Sequence, residues 1–200
     1  MNESQWDAHF RSLASGRQPA DPDPRVRHLV ERYAPKDCAK RALDLACGAG
    51  ASALWLAEQG WGVTAADRSP AAIDLVRNEA AARCLEVTTH VADLEAHQFT
   101  IEPGAWDLIV MCRYLQVDLF ESACLGLAPG GLLIGIALLA DPENATPQRF
   151  RVRTGELASH FRDKPGVTIV HERDPGASRD EYANRQAFAE LAVQRNRECK

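Results

Sequence analysis

The chain has 200 residues, 46% hydrophobic and 26% charged, which is room for one sizeable soluble domain but not comfortably for two. Its net charge of −5 argues against a nucleic-acid partner, and its longest apolar stretch, Gly130–Ala140, is too short to span a membrane. The six cysteines (Cys38, Cys47, Cys84, Cys112, Cys124, Cys199) and six histidines are scattered without CxxC or HExxH spacing, which speaks against a metal and, with no export signal, for reduced thiols in the cytoplasm.

Residues 2–15 suit a short helix with Trp6 and Phe10 on one side, and Gly16–Pro24 is a Pro/Asp-rich connection. Asp23 and Pro24 form an N-cap and first-turn pair for a helix running through Ala34. Arg11, Arg17, Arg25, Arg27 and Arg32 fall here, interleaved with Asp21, Asp23 and Glu31, and are read as a solvated mixed surface. Residues 1–36 are therefore set apart as an N-terminal helical extension to a single unit over residues 37–200.

From residue 41 the pattern alternates. Strands are predicted over Arg41–Ala46, Gly62–Ala66, Leu85–Val91, Trp106–Met111 and Gly131–Leu139. Between them come a turn at Gly48–Gly50, helices over Ala51–Gln59 and from Ser69-Pro70 to Ala82, and a helix over Val117–Leu127. Such alternation builds a mostly parallel, doubly wound sheet. The tail breaks it: Thr154–Phe161 reads as helix, Val167–Glu172 as strand and Gln186–Val193 as a second strand, with helix as the alternative over Ala187–Gln194. The two tail strands have no room for a helix between them, so an antiparallel pair closes the sheet.

The chemistry gathers at three strand ends. Gly48 and Gly50 let backbone approach a ligand, and Gly48–Ala53 also fits the GxGxxA dinucleotide pattern. Asp44 lies between Leu43 and Leu45, where an ionised carboxylate is costly unless well hydrogen-bonded. It serves either the turn's own amides or a cationic ligand group, and it would repel a pyrophosphate. Asp67 ends the second strand, where a carboxylate can accept from ribose hydroxyls or charge a helix N-terminus. Asp93 follows the third strand and can accept from an adenine amino group beside Leu94, or simply shape a turn.

LDLACGAGASALWLAEQGWGVTAADRSPAAIDLVR, then VADLE, WDLIVMCRYL and LAPGGLLI, resembles the class I S-adenosylmethionine (SAM) dependent methyltransferases. The similarity is strongest to the tellurite-resistance and thiopurine methyltransferase-like small-molecule group, and covers about residues 40–140. It implies a Rossmann-like α/β fold: a doubly wound, seven-stranded, mostly parallel sheet with an antiparallel last strand. It also implies that Asp44, Cys47, Gly48, Ala49 and Gly50 form the methionine-side loop. Asp67 would bind the ribose, Arg68 would lie beside the adenine that Asp93 and Leu94 hold, and Cys112 and Arg113 would end the fourth strand beside the methyl donor.

The expected reaction is methyl transfer to a small molecule, releasing S-adenosylhomocysteine, by a monomer or homodimer. No protein nucleophile is required; Arg113 and Tyr114 are the candidates for the acceptor side, Arg113 for an anionic acceptor. Trp6, Phe10 and Arg11 are candidates for a lid, although Trp6 and Phe10 can instead merely pack their helix. The alternatives are a SAM-binding regulatory or interaction protein without catalysis and an NAD-dependent oxidoreductase.

Overall fold

The segments at 42–45, 106–111 and 131–137 are buried on both faces and cannot be covered from one side only, and the structure sandwiches them between helices. The computed structural model describes residues 3–13, 21–36, 38–140, 150–174 and 187–197. Its strands are β1 (Arg41–Leu45), β2 (Gly62–Asp67), β3 (Val87–Val91), β4 (Trp106–Cys112), β5 (Leu127–Leu139), β6 (Arg151–Val152), β7 (Val167–Arg173) and β8 (Phe188–Arg195). The helices are α1 (Glu3–Leu13), α2 (Pro24–Tyr33), α3 (Ala51–Glu58), α4 (Pro70–Ala82), α5 (Leu119–Gly126) and α6 (Glu156–Ser159).

The strand order is β3-β2-β1-β4-β5-β8-β7, parallel through β5, with β8 antiparallel to both of its neighbours. The seven-stranded sheet with a reversed last strand is therefore as expected, except that β6 adds two residues parallel to Leu138 and Leu139 of β5. One face packs Leu43, Ile109, Met111 and Leu133 against Phe120 of α5 and Leu157 of α6. The other packs Ala42, Leu108, Val110 and Ile134 against Val26 and Leu29 of α2 and Leu56 of α3.

The ambiguous segment near 187–194 is a strand because both of its faces are buried. Ala189, Leu191 and Val193 enter one core and Phe188 and Ala192 the other, so no polar alternation marks it in the sequence. β5 starts at Leu127, four residues earlier than predicted, because the pairing with β4 shifts register between Trp106 and Leu108 and so absorbs Pro129-Gly130-Gly131. A Cβ on Gly131 would sit 2.8 Å from the Trp106 carbonyl oxygen, so only glycine fits this irregularity. The predicted helix over 154–161 shrinks to one turn. Gly155, at φ 77, starts it, and Phe161 and Lys164 then bond back three residues, to Ala158 and Phe161, in tight turns.

One N-terminal expectation fails. Arg25 is not part of a solvated surface: it is 1% exposed, with its guanidinium 3.6 Å from the Phe188 ring centroid. Asp23 caps α2 by accepting the Arg25 amide and also takes Nε and a terminal nitrogen of the same arginine, each at 2.8 Å. Periodicity cannot see this, because the arginine is buried against β8, a strand from the far end of the chain. Asp23→Ala leaves the Arg25 charge buried and is expected to cost about 3–5 kcal/mol in urea unfolding. Removing the exposed Arg11–Asp7 pair with Arg11→Ala should cost less than about 1 kcal/mol, and equal losses would contradict the burial argument.

Candidate active site

A cavity of ≈ 550 Å³ lies over the carboxyl ends of the parallel strands. Its floor is the turn after β1. Gly48 (φ 55) and Gly50 (φ 83) hold it in the left-handed region, and Ala46 (φ 55) joins them. A side chain on Gly50 would place Cβ 2.7 Å from Val76 Cγ2, so the turn also depends on α4.

Asp44 sits on β1 below this turn, 2% exposed, and lines the cavity. The Ala53 amide from the first turn of α3 donates to its carboxylate, but Oδ2 has no hydrogen-bond partner. Burial, together with the nearby Asp67 charge, pushes its pKa up to about 7 despite that amide. Asp67, at the end of β2, is buried too, and desolvation raises its pKa against the opposing pull of the Ser69 and Gly48 amides. Its Oδ2 accepts the Gly48 amide and its Oδ1 the Ser69 amide, each at 2.9 Å.

Asp93, after β3, uses Oδ1 for the Glu95 and Ala96 amides, as turn chemistry predicts. Arg68 spans the gap to this loop, 3.2 Å from both Asp93 Oδ2 and Glu95 Oε2. Leu94 is buried on the same wall. The thiols of Cys47 and Cys112 flank Asp44's side of the cavity. Burial raises Cys47 well above its ordinary value and Cys112 to about 12, so both stay protonated and neither is a nucleophile.

α1 lies across the opening. Phe10 is 9% exposed and its Cζ would be 3.3 Å from a Cβ on Gly48; Trp6 stacks on it at 6.0 Å between centroids. Asp7, a residue the sequence did not single out, anchors the helix by accepting Ser69 Oγ at 2.8 Å and the Ala71 amide at 3.1 Å. Those two bonds, the amide first, hold its carboxyl below the ordinary range.

A family model of the methyltransferase domain matches residues 42–131, the span of the glycine turn, Asp44, Asp67 and Asp93. Over residues 42–131, somewhat less than half of its length, the chain is thus similar to methyltransferase domains. It is 34% identical over 137 residues to demethylmenaquinone methyltransferase of Thermus thermophilus, covering 65% of this chain and 61% of that protein. It is 29% identical over 161 residues to hemagglutinin 1 of Eikenella corrodens, covering 74% of this chain and 52% of that one. The chain thus spans between half and three-fifths of the length of these relatives. Among solved structures, the [4+2]-cyclase SpnF superposes with a TM-score of 0.73 at 18% identity, covering 98% of this chain and 95% of that one. TehB from Haemophilus influenzae gives 0.68 at 19% identity, covering 96% and 67%.

The fold brings nearly all the predicted site residues to one cavity. Arg11 and Gly50 are the exceptions: the Arg11 side chain is 75% exposed and paired with Asp7, four residues back, so it belongs to the outer face of α1, and Gly50 is buried against Val76 of α4 instead of lining the cavity. Asp67 fills the helix-start role its position also allowed, and since both oxygens already take an amide, their second lone pairs remain for a ligand. Sequence reasoning missed Asp7, the Pro22–Pro24 rim and Phe150, whose ring lies 5.1 Å from that of Tyr114. It also missed Gln116, buried behind Tyr114, whose Oε1 accepts the phenol and whose Nε2 donates to the Leu94 carbonyl. Phe10 carried a sequence signal, its spacing from Trp6. Gln116 carried none, because the bond that ties it to the cavity wall goes to the Leu94 carbonyl on a different loop.

A carboxyl whose folded pKa is raised stabilises the fold fully below its unfolded value and loses that contribution as pH rises through the folded value. For Asp44 the window runs from about pH 4 to about pH 7. Asp44→Asn should therefore raise Tm relative to the parent at pH 8 and leave it nearly unchanged at pH 4. Calorimetric scans across that range check this, and a pH-independent difference would refute the burial of an unmet charge.

Proposed function

We propose that the chain transfers a methyl group from SAM to a small-molecule acceptor in the cavity above β1, β2 and β4. The observation that carries this is the buried Asp44 Oδ2, left without a protein partner beside a glycine turn. A cationic group satisfies that oxygen and returns the carboxyl to its ionised form, and the amino group of SAM is such a group. The donor set fits in a second way: the Gly48 amide that would cradle a pyrophosphate is already donated to Asp67. An NAD-type ligand would meet carboxylates where it needs N–H groups.

When bound, SAM supplies a methyl group activated on a sulfonium, for in-line displacement by an acceptor lone pair. The residues supply position. Asp44 and the Cys47–Gly50 backbone hold the methionine end, and Asp67 offers its remaining lone pairs to the ribose hydroxyls. Asp93, Leu94 and Arg68 frame the adenine. Trp6 and Phe10 on α1 cover the opening and exclude water, which assigns residues 1–36 the role of cover and 37–200 that of the catalytic unit. Cys112, Arg113 and Tyr114 lie on the acceptor side, where the protonated thiol packs and the other two contact the acceptor. No side chain here need become covalently modified, and holding the two reactants in line can supply much of the rate. A cytoplasmic setting accords with the five described cysteines, all free thiols, and no helix among the described residues is long and apolar enough to cross a membrane.

S-Adenosylhomocysteine should bind with Kd of about 1 μM or tighter in titration calorimetry. Near pH 7 binding should release a proton as Asp44 ionises, seen as a heat that changes with the ionisation enthalpy of the buffer. Asp67→Ala should weaken binding at least about tenfold, or about 1.4 kcal/mol, through the lost ribose contacts and the loosened Gly48 turn. Tight NADH binding with no response to S-adenosylhomocysteine would overturn the proposal. Binding of S-adenosylhomocysteine with no methyl transfer from labelled SAM to any of a broad acceptor panel would favour the non-catalytic alternative.

A further inference from the structure

Two guanidinium groups share one carboxylate on the cavity wall. Asp23 is already closed by Arg25, whose Nε and terminal nitrogen each lie 2.8 Å from one carboxylate oxygen and whose side chain is 1% exposed. Arg113 adds a contact of 3.2 Å to Asp23 Oδ2, with its own side chain 59% exposed. The three groups together carry one positive charge in excess, and it resides on the exposed member. Arg68 is in the opposite condition, held between two carboxylates. Among the described residues lining the cavity, Arg113 is thus the cation with charge to spare.

The backbone supports the same assignment independently. Arg113 has φ 59, a left-handed conformation uncommon for a residue with a side chain. Its amide donates to the Ile136 carbonyl at 2.7 Å, directly after the Cys112 that ends β4. The guanidinium is thereby held at the cavity mouth, its carbon 5.5 Å from the Phe188 ring centroid, next to the Tyr114–Phe150 ring pair.

We propose that Arg113 is the anchor for an oxyanion carried by the methyl acceptor, a carboxylate or phosphate on an aromatic or apolar body. The oxyanion takes the place of Asp23 on Arg113, while Arg25 keeps Asp23 neutralised, so the exchange strands no buried charge. Tyr114 and Phe150 flank the body of the molecule. The oxyanion is a handle and is not itself methylated. A separate nucleophilic atom forms the new bond to the methyl carbon as the carbon–sulfur bond breaks toward sulfur, and any proton on that atom passes to solvent. The opposing charge on this rim is Asp21, exposed and two residues before Asp23, which would favour an amine instead.

The term "acceptor" rests on the methyl-transfer proposal, whereas the anion site does not, so the test reads binding. The full chain, free and saturated with S-adenosylhomocysteine, is titrated with benzoate, phenylacetate and phenyl phosphate, and with the neutral benzamide and phenylacetamide. At least one oxyanion should bind about tenfold or more tightly than the neutral probes. That preference should vanish in Arg113→Met and survive in part in Arg113→Lys, with both variants checked for unchanged thermal unfolding. No preference for any oxyanion, or a preference that persists in Arg113→Met, overturns the proposal, as does tighter binding of benzylamine that Asp21→Asn abolishes. Failure of S-adenosylhomocysteine to bind would instead count against the methyl-transfer proposal, leaving the titrations of the free chain to decide the anion site.

Discussion

The carboxylate of Asp67 ties the turn after β1 and the start of α4 to the end of β2. One oxygen takes the amide of Gly48 from the turn after β1, and the other takes the amide of Ser69 at the start of α4. Ser69 in turn caps α4 through its hydroxyl oxygen and donates that hydroxyl to Asp7 of α1. Glycine turn, second strand, fourth helix and covering helix are thus tied through one acid and one serine. Backbone amides of a left-handed turn need acceptors: Gly50 finds the Cys47 carbonyl within the turn and Cys47 the Ala66 carbonyl of β2. The Gly48 amide is met by the Asp67 carboxylate at the end of the same neighbouring strand.

The same arrangement sets the electrostatics of the cavity. With Asp67 spent on amides, its charge remains and raises the cost of ionising Asp44. The fold tolerates a carboxyl at the centre of a buried strand by keeping it partly protonated until a cation arrives. Beside Cys112, whose thiol feels Asp44, Asp23 and both arginines, the imbalance is reversed, with two arginines for Asp23. A cavity that holds an unmet carboxyl and a cation with charge to spare can attract charged groups of either sign before they make a specific contact.

Much of the frame was legible in the sequence because its signals are local. The strand–turn–helix at LDLACGAG, the Ser69-Pro70 cap and the β-branched runs each announce themselves within a few residues. Even the three acids at successive strand ends could be read, since strand register carries them to one edge. Arg25 could not. Its setting among Asp21, Asp23, Arg27 and Glu31 suggests a solvated mixed surface, and only the docking of α2 on β8 buries it against Phe188. β6 was invisible for a related reason: two residues have no periodicity, and they pair only because β5 runs on far enough to offer them an edge.

By itself, then, the sequence determined the alternating α/β order, the glycine turn and the acids that point to a SAM-type ligand. These depend on short-range propensity and on a charged residue standing where apolar neighbours make it costly. The tertiary structure alone decided how those acids are spent. It showed that Asp67 serves the backbone first, that Asp44 Oδ2 is left over and that Asp7 fastens the cover. It also decided that Arg113 faces a carboxylate Arg25 has already satisfied. Whether a charge is met or unmet depends on every group within a few ångströms, and most of those groups are distant in the chain.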